Sequence, residues 1–204
     1  MQGSLPREVQ AFARDQRVVT LHPGDYYATR EDAVVSTVLG SCVSVGLYDA
    51  QSMAGGLNHF MLPGELGKDG LAGSASAKYG MYAMEILIND LMKLGIAKSC
   101  LRAKVFGGGA VLRGLGRTAM NRIPAGNVEF AFEYLKKEGI PVIASDVGGD
   151  RARRIFFFAR GGKVLQRKFG GPRTGALESE EERYFEELRS RDLSGPIELF
   201  DRGC

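Results

Sequence analysis

The run from Val34 to Asp49 is dense in β-branched residues and broken once, at Gly40-Ser41. Such a run makes a poor helix and a good pair of strands, so it commits the chain to sheet structure with a tight turn at the break. Asp49-Ala50-Gln51-Ser52 reads as a turn and Gly55 to Leu62 as the strand that returns. A hairpin is therefore predicted, with strand 43–48, turn 49–54 and strand 55–62.

The remaining pattern mixes helices with further hairpins. Residues 1–30 are polar and mixed, with one strand-like piece at Val18-Val19-Thr20-Leu21, and read as an arm or edge element. A helix is predicted from Ser74 or Ser76, carrying Tyr79, Tyr82, Ala83, Ile86, Leu87, Leu91 and Leu94 at helical spacing and ending at Gly95. A second spans Asn121 to Gly139, with Asn127 as a candidate cap and Phe130, Ala131, Tyr134 and Leu135 facing inward. Strands are predicted at 101–106, 140–144, 155–159 and 163–168, the last two joined by a Gly161-Gly162 turn. Glu178 to Arg191 is dense in charge, with Leu177, Tyr184, Phe185 and Leu188 on one stripe, as in a short amphipathic helix that docks or meets a partner. A regular β-α-β alternation is absent, so the expected class is α+β.

With 204 residues, 44% of them hydrophobic, the chain fits one globular domain with a sizeable core. The expected division is an arm at 1–19, a domain at 20–170 and a charged tail at 171–204. A formal net charge of +3, spread along the chain, does not call for nucleic acid. No stretch approaches the roughly 18 apolar residues of a membrane span, and the N-terminus lacks the apolar core of a signal peptide. A cytoplasmic protein is expected. Three cysteines, Cys42, Cys100 and Cys204, form an odd set without metal-like spacing, against a disulfide framework or a cysteine zinc site.

Chemistry gathers around Cys42. A free cysteine is more often buried and inert than reactive, and Cys100 and Cys204 keep that reading. Gly40-Ser41 raises the case for Cys42, because amides near a sharp turn can line an oxyanion site. His59, one of two histidines, lies on the return strand, and the hairpin brings it to the same rim as Cys42. An imidazole beside a thiol favours the thiolate that attacks a carbonyl. His22, in Leu21-His22-Pro23-Gly24, is the weaker candidate. A third group usually holds the imidazole in its working tautomer. Ser36 and Thr37 both offer a hydroxyl, and because neighbouring strand residues face opposite ways, at most one points at the site. Gly107-Gly108-Gly109 and Val147-Gly148-Gly149-Asp150 match no phosphate-binding motif and read as tight turns. Arg151, Arg153 and Arg154 read as a solvated basic turn, or as a contact for an acidic partner surface.

Thr37-Val38-Leu39-Gly40-Ser41-Cys42-Val43-Ser44-Val45 and Gly55-Gly56-Leu57-Asn58-His59-Phe60-Met61-Leu62-Pro63 resemble the two signature blocks of the CheD family, bacterial chemoreceptor glutamine deamidases. The likeness continues through 78–94, Lys104 to Gly109, Asn127 and Asp146 to Phe157, and covers about residues 20–170. It implies a protein-glutamine glutaminase that converts receptor glutamines to glutamates and releases ammonia, without metal or organic cofactor. Cys42 would be the nucleophile, His59 the general base and acid, and Ser36 or Thr37 the hydroxyl that orients it. The amides of Ser41 and Val43 are the oxyanion candidates within the Gly40 to Val43 turn. The implied fold has sandwich-like β-sheet layers flanked by helices, as in the toxin-type cysteine deamidases. Implied partners are the cytoplasmic helices of methyl-accepting receptors and, in some bacteria, a CheC-type phosphatase, with substrate-positioning contacts expected at Gly64 to Gly73. A non-catalytic binding module of the chemotaxis array and a general cysteine protease are the rival readings.

Overall fold

The computed structural model describes residues 16–62, 75–111, 117–170 and 175–190, together with Val9. The loop 64–73 and Cys204 fall outside these residues.

Two sheets stack face to face. The first contains β1 (Arg17–Thr20), β3 (Ala33–Leu39), β8 (Ala152–Phe158) and β9 (Val164–Phe169), in the order β1-β3-β8-β9. The second contains β2 (Tyr26–Thr29), β4 (Val43–Asp49), β5 (Ala54–Asn58), β6 (Arg102–Gly107) and β7 (Val142–Val147), in the order β2-β5-β4-β6-β7. Helices α1 (Ala75–Lys93) and α2 (Arg117–Lys137) cover the outer face of the second sheet, and α3 (Gly175–Ser190) packs Phe185 into the inter-sheet cluster and Leu177 against Val111 and Ala152. The architecture is α+β, two sheets flanked by helices.

Period-two alternation sorts the side chains into two cores. Val43, Val45 and Leu47 of β4 face the helices, in a cluster with Met84, Leu87, Leu91, Phe130 and Leu135. The alternate positions face the first sheet, where Gly46 lies so close to Phe157 that a Cβ would come within 2.6 Å of the ring. Val35 and Leu39 of β3 join Leu57, Phe106, Ile155 and Phe157 in this inter-sheet core.

The predicted hairpin forms, with Gly46 opposite Leu57 and Asp49 opposite Ala54. Several expectations need correction. The break at Gly40-Ser41 does not fold β4 back on β3: β3 pairs with β1 and β8, β4 with β5 and β6. The turn is the crossing from one sheet to the other. Residues 26–29, within the stretch read as an arm or edge element, form an edge strand, β2, along β5. Asn127 does not cap α2, which begins at Arg117; it sits mid-helix, fully buried. Nor is Arg153 solvated. It is 1% exposed and donates to the Asp146 carboxylate at 2.6 Å, so only Arg151 and Arg154 of the basic trio face solvent.

Candidate active site

The crossing turn places Cys42 at the end of the inter-sheet space. An isolated bridge continues the hairpin by pairing Val43 with Phe60. Alternation then puts Cys42 and His59 diagonally on one face, turned toward the first sheet, while Val43 and Phe60 turn toward the helices. The first sheet supplies Thr37, which shares its face of β3 with Val35 and Leu39. Ser36 points the other way, with Val34 and Val38.

Thr37 Oγ1 lies 2.7 Å from His59 Nδ1 and 2.9 Å from the Leu21 carbonyl oxygen. A carbonyl can only accept, so the threonine proton goes to Leu21 and the hydroxyl oxygen accepts from Nδ1–H. The lone pair of the imidazole is thereby left on Nε2, which is buried and has no hydrogen-bond partner among the described residues. His59 also holds the 22–25 turn through its backbone: Gly24 N donates to its carbonyl, and its own amide donates to Asp25 O. His22 is turned away to Glu180, at 3.0 Å.

The backbone around Cys42 is clasped from outside. Gly108 N donates to Cys42 O at 2.7 Å and Gly109 N to Gly40 O at 2.6 Å. The approach requires glycine: Gly107 has φ 112°, and a Cβ there would lie 2.1 Å from the Cys42 carbonyl oxygen. Asn127 adds a second clasp, donating to Ser41 O at 2.9 Å and accepting from Leu62 N at 2.8 Å. One amide thus ties the Cys42 turn to the segment after His59.

With its carbonyls held behind, the turn points its amides forward. They converge on Glu181 of α3, whose carboxylate accepts from Gly40 N at 2.8 Å, Ser41 N at 2.8 Å, Ser41 Oγ at 2.7 Å and, more weakly, Cys42 N at 3.4 Å. Ser41 is therefore an amide of this fan. Val43 is not, because its N–H is spent on Phe60 O at 2.9 Å. Sequence reading missed Glu181, although it lies four residues from both Leu177 and Phe185 on the buried stripe. A glutamate in phase with apolar residues was the available signal.

Thiol, imidazole and carboxylate donor atoms lie within 4.8 Å of one another, a span that a divalent ion could bridge. Both Glu181 oxygens, however, are already engaged by amides and the serine hydroxyl. Burial raises the Cys42 pKa well above its ordinary value, and the adjacent Glu181 charge raises it further. Burial, with a smaller push from His22, drives His59 down to about 3. With Glu181 in place the pair is a neutral thiol beside a neutral imidazole.

A cleft of about 360 Å³ opens beside His59, between the 23–26 turn and Tyr79, Tyr82 and Ile86 of α1. Tyr184 of α3 borders it, and its hydroxyl is hydrogen-bonded to that of Tyr79.

A thiol, an imidazole with Nε2 free and a fan of amides on one sharp turn are the parts of a cysteine-dependent acyl-transfer site. Family comparison narrows the class. The family model of CheD chemotactic sensory transduction matches residues 61–168. A probable chemoreceptor glutamine deamidase CheD from Herminiimonas arsenicoxydans is 46% identical, over 91% of this chain and 90% of its own. The protein of that name from Laribacter hongkongensis is 47% identical, over 87% and 85%. The chain belongs to the CheD family.

Proposed function

We propose that this protein hydrolyses the side-chain amide of chemoreceptor glutamines to glutamate, with Cys42 as nucleophile and His59 as proton carrier. The observation that carries this reading is the Thr37–His59 hydrogen bond, which leaves the Nε2 lone pair on the same face as the thiol. The family membership supplies the substrate class.

Each step has a residue suited to it. His59 Nε2 takes the Cys42 proton as sulfur attacks the amide carbon, and the carbonyl oxygen gains charge in reach of the amides of Gly40, Ser41 and Cys42. Collapse breaks the C–N bond, and His59 returns the proton to the departing nitrogen, which leaves as ammonia. Water, deprotonated by His59, then hydrolyses the thioester to glutamate and free thiol. Thr37 is a positioning residue throughout, holding Nδ1–H so that Nε2 stays available. In this reading the substrate surface is the cytoplasmic helical region of the receptor, and the reaction runs in the cytoplasm. Among the described residues, no helix is long and apolar enough to cross a membrane.

Purified chemoreceptor incubated with the protein tests this by ammonia release and intact mass. Wild type should convert glutamine to glutamate, Cys42→Ala and His59→Ala should fall below detection, and Cys100→Ala, at an exposed thiol, should match wild type. Full activity in Cys42→Ala would remove the nucleophile from the scheme. Cleaved peptide bonds in place of deamidation would identify a protease.

A further inference from the structure

We propose that α3 is an internal competitor, filling the trough in which a substrate helix docks and seating Glu181 where the reacting glutamine side chain goes. The inference rests on the deamidase reading and adds an occupant and a regulation to its site. Four observations carry it.

Glu181 is fully buried, and its partners are the amides of Gly40, Ser41 and Cys42 and the Ser41 hydroxyl. These are the donors an oxyanion would use, and a glutamate side chain is the product that deamidation leaves there. Second, Glu181 sits between Leu177 and Phe185, four residues to either side, with Leu188 one turn further, all buried. A helix laid in this trough by apolar anchors therefore delivers the side chain midway between them to the thiol.

Third, α3 is a peripheral helix with solvent on both flanks. The 360 Å³ cleft opens along its Tyr184 side, and a second open groove of about 380 Å³ runs beside its first turns, lined by Ala176, Leu177, Glu180, Val38, Phe156 and Arg167. A helix with open grooves on both sides has fewer packing partners to lose than one inside the core. Fourth, the thiol touched by Glu181 is held protonated by burial and by that carboxylate, so the docked state is chemically silent.

Departure of α3 would empty the amide fan, remove the charge beside the thiol and join the Tyr79–Tyr82 cleft to the bed of Leu177 and Phe185. The occupant that fits the emptied trough is a receptor helix with a glutamine flanked by apolar residues four positions before and four after.

The test uses the full chain in two assays: the rate at which iodoacetamide alkylates Cys42, resolved by peptide mapping from exposed Cys100, and the rate of glutamine conversion in purified chemoreceptor. Glu181→Ala should raise both at least tenfold. Glu181→Gln keeps the shape but cannot accept from every donor at once, and should raise Cys42 alkylation by a smaller factor. Glu186→Ala, on the exposed side of α3, should change neither. Thermal melting confirms that each variant is folded. Wild-type conversion of receptor with no acceleration in either Glu181 variant, or equal acceleration by Glu186→Ala, overturns the internal competitor and leaves the deamidase standing. Faster Cys42 alkylation in both Glu181 variants, with receptor untouched by every form, supports the competitor while defeating the receptor assignment.

Discussion

The turn at Cys42 and the helix α3 meet at the same atoms but are held by different forces. The turn is fixed by backbone: its carbonyls bond to Gly108, Gly109 and Asn127, and both strands it joins lie inside sheets. Helix α3 is fixed by side chains, with Leu177, Phe185 and Leu188 buried beneath it and Glu181 bonded to the turn. Backbone anchoring of this kind opens only when the domain unfolds, whereas a peripheral helix held by a few side chains opens locally at much lower cost. In the proposed reading the two parts have different duties: the turn is a preorganised oxyanion site and α3 a cover that leaves it.

The sharpest way to break this contrast is to attack the clasp. Gly107→Val combines an unfavourable positive φ with a Cβ inside the contact distance of the Cys42 carbonyl oxygen. It should destabilise the domain by about 3 kcal/mol or more, with loss of all activity, as read by urea unfolding. A near-normal unfolding midpoint would show that the turn tolerates movement.

Asn127→Ala removes two buried hydrogen bonds at once and leaves Ser41 O and Leu62 N unpaired. The expected loss is about 2–3 kcal/mol, with catalysis falling further than stability because the amide fan loses its backing. Asn127→Asp restores the acceptor but not the donor. It should recover part of the stability and little of the rate.

Lowering the pH should act through His59. Its pKa is depressed in the fold, to about 3, from the ordinary 6.5. Between these values the unfolded chain binds a proton that the native chain does not, so stability is whole above about pH 6.5 and falls as the pH drops. From pH 6.5 to 5 this term amounts to about 2 kcal/mol. His59→Asn should lose less stability than wild type over that interval by that amount. Equal pH slopes would place the imidazole in contact with solvent.

The smallest global effect belongs to the helix. Leu177→Ala should shift the unfolding midpoint by about 1 kcal/mol or less, because α3 can detach without the domain. Amide hydrogen exchange in 175–190 should nevertheless rise strongly, while exchange at Val43 and Phe60 stays slow. Protection lost at both regions together would make α3 part of the core.

Much of the fold was legible because its signals are local. The β-branched run, the hairpin of β4 and β5, the helix ending before Gly95 and the amphipathic stripe of α3 all depend on spacings within a few residues. Strand β2 escaped notice because Tyr26-Tyr27-Ala28-Thr29 is short and lies among polar residues; its strand character comes from pairing with β5. The two-sheet crossing was hidden for a related reason, since a Gly-Ser break is equally compatible with a reversal and a crossing.

The candidate site divides along the same line. Cys42 and His59 could be paired from sequence, because one hairpin joins them and its alternation sets their face. Ser36 and Thr37 could not be told apart, because β3 is covered on both faces and apolar residues flank both hydroxyls. Only the stacking of the two sheets selects Thr37, by bringing its face against His59. Asn127 and Glu181 lie 85 and 139 residues beyond Cys42, and no local pattern relates either to the turn. Their contacts come from packing, which brings one amide behind the Cys42 turn and one carboxylate in front of it. Covalent order along the strands put a thiol and an imidazole on one face, and long-range packing decided which hydroxyl meets the imidazole and which carboxylate meets the turn.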